Sequence, residues 1–166
     1  MKNLKAKDLA LGGILTSLTV IVLFINILIP INTFAILTIS SCFVPIAIIR
    51  SNVRVGIFVY IASSIIGFFL VPLDIMIPFI LYFGIYGLVK FYIEKLRNMP
   101  LEILLKLSFS NIMLILGYIL FTKFIAPINL NIPIWILIIL AQIAFLIFDY
   151  ALTLIITFYI SKFHNK

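Results

Sequence analysis

The chain has 166 residues, 65% of them hydrophobic and 10% charged, with a mean hydropathy of +1.36 and a net charge of +7. That apolar share lies far above the near-half of soluble domains. At roughly 18 residues per crossing of a hydrocarbon layer about 30 Å thick, it supplies about six helical spans and leaves no room for a soluble domain. It excludes a cytosolic enzyme and a nucleic-acid-binding module. A disulfide-stapled secreted domain is excluded too, because Cys42 has no second cysteine to pair with and reads as a small apolar side chain within a span.

Between charges and Pro/Asn breaks, the apolar runs predict an all-α integral membrane protein, a single polytopic domain over residues 1–166. Its spans lie near Leu9–Leu28, Thr33–Ile49, Val55–Val71, Ile75–Val89, Leu107–Thr122 and Ile134–Tyr159. The first follows a basic stub, Lys2, Lys5 and Lys7. It reads as a retained helix and not a cleaved signal, being about 20 residues long with its small residues at the start. Those residues, Ala10, Gly13 and Ser17 together with Gly12 and Thr16, recur at spacings of three and four, a strip that lets another helix approach closely. Pro30-Ile31-Asn32 closes the turn to the second span, and Arg50 and Arg54 join the second to the third.

Pro72-Leu73-Asp74 precedes the fourth span, with Asp74 placed to cap its N-terminus and to favour the positive end of the helix dipole. The segment KFYIEKLRNMPLEILLK mixes charges with Tyr92, Ile93 and Leu96, as a helix end along a membrane surface does. Pro100 suits the first turn of the fifth helix. FIAPINLNIP, residues 124–133, is the one connection long enough to act as a lid, and Trp135 just beyond it suits an interfacial anchor. With six spans, eleven of the twelve basic residues fall on one face and only Lys123 on the other, which puts both termini in the cytoplasm.

Chemistry-bearing patterns are few. His164 is the single histidine, so no metal site is expected, and neither GxSxG, HExxH nor a Gly-rich phosphate loop occurs. The five acids are Asp8, Asp74, Glu94, Glu102 and Asp149, and they form no catalytic pair. The reading is therefore no enzyme, no catalytic residue and no cofactor. Asp149 lies within the last span, where a carboxylate costs about 2.5–3.5 kcal/mol unless paired or protonated. The reading favours a structural pair over a proton or substrate relay, with Tyr150, Asn111, Arg50 or Arg54 as companions.

The opening KDLALGGILTSLTVIV and the third span with Gly56 and Gly67 resemble the substrate-binding S components of energy-coupling factor (ECF) vitamin transporters. The resemblance implies a six-helix subunit of the cell membrane with both ends inside. Ala10, Gly13 and Ser17 would form the surface docked on a transmembrane T component, Gly13 and Ser17 standing in for a strict AxxxA. ATPase subunits would supply the energy, and a small vitamin-like solute would be captured near the outer face. The outer-half groups placed for that solute are Asn32, Asp74, Tyr82, Tyr118, Asn129, Asn131, Trp135 and Gln142. Which solute is left open. The alternatives are an MreD-type membrane scaffold of the cell-shape machinery and a bacterial membrane protein of neither class.

Overall fold

The computed structural model describes residues 5–29, 32–124 and 134–163. Asn129 and Asn131, with the expected lid beyond Phe124, lie outside them, as do Lys2, Pro30, Ile31, His164 and Lys166. The described elements are helical: α1 (Ala6–Leu28), α2 (Thr33–Ser41), α3 (Phe43–Arg50), α4 (Val53–Leu70), α5 (Leu73–Pro78), a π-helical segment (Phe79–Phe83), α6 (Gly84–Glu94), α7 (Met99–Phe124) and α8 (Ile134–Phe163). Among them, six stretches are long and apolar enough to cross a membrane: Ala6–Leu28, Thr33–Arg50, Val53–Leu70, Leu73–Glu94, Met99–Leu120 and Ile138–Lys162. The all-α, multi-pass expectation stands.

Three boundaries differ from expectation, each for a local reason. The second span is two helices meeting at Cys42, because Pro45 has no N–H to donate to the carbonyl of Ser41. Just before the break, the hydroxyls of Ser40 and Ser41 donate to the carbonyls of Leu37 and Thr38, at 2.8 and 2.7 Å. The fourth span continues past Val89 to Glu94, and Lys90 within it is only 2% exposed. The fifth begins at Met99 and not Leu107, with Pro100 in its first turn as expected. The link between α6 and α7 is thus only Lys95–Asn98, closed by Arg97 in the left-handed region at φ 53°.

Contacts divide the chain into two compact units, residues 1–92 and 93–166. In the first, α1 turns Gly12, Leu15, Thr16, Thr19, Val20 and Leu23 inward. Leu15 joins Val44, Ala47 and Ile48 of α3 and Val55 and Val59 of α4 in one apolar cluster. Polar groups tie the helix ends. Asn32 accepts from the Ala35 N–H and Asn52 from the Val55 N–H, both at 3.2 Å, satisfying donors that a helix start leaves free. Asp8 accepts from the Lys5 N–H at 3.0 Å and from the Ser51 hydroxyl at 2.7 Å, fastening the start of α1 to the end of α3.

In the second unit α7 and α8 present large apolar side chains outward, Ile112, Ile115, Ile139 and Ile147 each more than half exposed. Such a surface is costly in water and ordinary against lipid tails.

Candidate functional site

The small residues of α1 separate onto two faces. Gly12 and Thr16 are buried, and a Cβ on Gly12 would lie 3.3 Å from Val55, so this pair serves the packing of α1 on α4. Ala10, Gly13 and Ser17 are exposed. A Cβ on Gly13 would meet nothing within 4 Å, and the Ser17 hydroxyl is already satisfied by the carbonyl of Gly13 at 3.0 Å. The outward strip therefore offers close backbone approach without an unpaired hydroxyl. It borders a groove of about 480 Å³ between α1 and α4, floored by Gly12, Thr16, Val55 and Val59 and flanked by Phe58 and Ile66.

The expected solute-binding residues occupy varied places. Asn32 is exposed and its oxygen caps α2. Asp74 is exposed in the first turn of α5, but the N-cap position belongs to Pro72, so the expected capping role is corrected to a favourable charge near the helix N-terminus. Tyr82 is half-buried in the π-helical segment, its ring 5.4 Å from that of Phe83. In the second unit Tyr118 and Trp135 are exposed on α7 and at the start of α8. Gln142 on α8 donates to Asn111 on α7, and its own side-chain oxygen is buried without a partner. Neither the α1–α4 groove nor the cavity beside Lys106 is lined by any of these six residues, and Asn129 and Asn131 lie outside the described residues.

Asp149 meets a partner that the sequence reading placed elsewhere. Lys106 Nζ stands 3.1 Å from Asp149 Oδ2 and 3.0 Å from Glu94 Oε1, and the lysine side chain is 12% exposed. One lysine thus holds carboxylates from the end of α6 and from α8. Of the companions expected for Asp149, Asn111 bonds Gln142 instead, and Tyr150 is 66% exposed. Glu102 and Asp149, with Met99, Phe145 and Leu146, line a cavity of about 160 Å³ beside the lysine. Sequence reasoning misses Lys106 because its charge places it in the connection, whereas α7, starting at Met99, carries it almost two turns into the helix.

Compared with known proteins, the chain matches no protein-family model, no curated protein and no solved structure.

Proposed function

We propose that this chain is the substrate-capture S component of an ECF-type importer of a small vitamin-like solute, a multi-pass subunit of the cell membrane with both termini in the cytoplasm. ATPase partners would energise it through a T component docked on α1. The observation that carries the reading is the outward strip of Ala10, Gly13 and Ser17, which the chain's own packing leaves uncovered while the adjacent Gly12 face is used internally. In a membrane, small residues earn close contact only when another helix comes to them. Solute capture falls to the outer-half residues Asn32, Asp74, Tyr82, Tyr118, Asn129, Asn131, Trp135 and Gln142.

The test is co-purification from host membranes. Wild-type protein is expected to bring down a T component and ATPases identified by mass spectrometry. Gly13→Leu/Ser17→Leu is expected to lose them while melting as wild type does, because both positions face outward. Undiminished partner recovery by the double variant would end the docking assignment. Recovery of cell-shape proteins in place of ATPases would replace it with the scaffold reading. The cytoplasmic termini rest on the eleven-to-one division of basic residues, and a reporter fused after Lys166 is expected to signal only from the cytoplasm. An extracellular signal would invert the topology.

A further inference from the structure

The geometry points to a hinge in the fourth span at Phe79–Phe83, locked by the Tyr60 hydroxyl, about which the outer half-helix α5 moves relative to α6. This inference goes beyond the transport reading and does not rest on it.

The stretch Leu73–Glu94 is long enough to cross a membrane, yet it is not one α-helix. The six-residue α5 ends at Pro78, whose ring nitrogen has no hydrogen to give to the carbonyl of Asp74. Beyond it the register changes: the Gly84 N–H donates to the carbonyl of Phe79, five residues back. Two hydrogen-bonding registers therefore meet within one span, the arrangement that most readily bends or rewinds.

A neighbouring helix holds that junction. Tyr60 of α4 donates its hydroxyl to the carbonyl of Ile80, inside the π-helical segment, at 2.8 Å. The Tyr60 ring lies where a Cβ on Gly84 would come within 3.0 Å of it, so the missing side chain at Gly84 makes room for the tyrosine. The ring wedges the junction and the hydroxyl pins it.

Both sides of the junction are buried, Met76 and Phe79 as fully as Tyr86, but they are held by side chains of different stiffness. On the inner side, Tyr86 is fully buried and Gly87 rests on the rigid ring of Pro45. On the outer side, α5 rests on Gly67 of α4 through the thioether of Met76, an unbranched side chain that accommodates sliding. Release of the Ile80 carbonyl lets the segment rewind from π to α, which turns α5 by about 100° and shifts it by about 1.5 Å per residue taken up. Asp74, exposed at the outer end of α5, moves with it.

Hydrogen exchange on the full chain in detergent tests this. Tyr60→Phe keeps the ring wedge and removes only the pin, so amides of residues 75–85 are expected to exchange about tenfold faster. Amides of α4 and of residues 87–94 are expected to keep their rates. Adding Pro78→Ala, which returns an N–H for the Asp74 carbonyl and favours a continuous α-helix, is expected to restore protection in the Tyr60→Phe background. Unchanged exchange at residues 75–85 in Tyr60→Phe would overturn the lock. Faster exchange across α4 and α6 alike would overturn the hinge, showing that Tyr60 supports the packing as a whole.

Discussion

Lys106→Ala is expected to destabilise the chain more than any substitution at Asp149, by about 1–3 kcal/mol, the cost of leaving part-buried carboxylates without their cation. The reason lies in the count of partners. Lys106 serves both Glu94 and Asp149, at 3.0 and 3.1 Å, so its loss takes a cation from two carboxylates at once. Asp149→Ala leaves the lysine on Glu94, whose side chain is 42% exposed and reachable by water, and a smaller loss of about 1 kcal/mol follows. Asp149→Asn is the mildest, because the amide oxygen still accepts from Lys106. Melting curves in one detergent rank the three variants. A relay role for Asp149 predicts another pattern, with Asp149→Asn folded and stable but dead in solute uptake. A Lys106→Ala protein that melts as wild type does would show that the cluster contributes nothing net.

The same lysine shows what the sequence makes legible and what it does not. Six apolar stretches were readable because a hydrocarbon layer imposes a length and a composition on each. Their ends are not, because a charge in the sequence does not say whether water or protein surrounds it. Lys90 at 2% exposure and Lys106 at 12% are inside α6 and α7, where neighbouring groups substitute for solvent. Proline effects also escaped. Pro45 divides the second span and Pro78 precedes the π-helical segment, yet both sit inside runs apolar enough to pass as continuous. Of the candidate site, the outward strip on α1 was readable from small-residue spacing. That Gly12 and Thr16, offset from that strip by one position, pack against α4 was not, since only the packing shows it.

Glycine substitutions separate packed positions from open ones, and Gly87→Ala is expected to be among the damaging ones, with Gly56→Ala, whose Cβ would press on Cγ1 of the buried Ile48. A Cβ on Gly87 would lie 2.6 Å from Cδ of Pro45 and 3.4 Å from its backbone nitrogen, and a proline ring has no rotamer into which it can retreat. Overpacking of this kind costs about 1–3 kcal/mol, against a helix-propensity gain of about 1 kcal/mol for alanine over glycine. The clash wins, and a lowered melting temperature follows. Gly67→Ala also brings a Cβ to 2.8 Å, but from the sulfur and methyl of Met76, which can swing aside, so the loss is smaller. Gly13→Ala and Gly117→Ala meet nothing within 4 Å and keep the propensity gain, so both are expected to melt at or above the wild-type temperature. Gly13→Ala adds one further constraint. Alanine is still small, so partner recovery is expected to survive it and fail only with leucine. A Gly13→Ala protein that folds normally but loses its partner would place a backbone in direct contact with Gly13, while a destabilised one would mean that the outward face of α1 is covered within the chain after all.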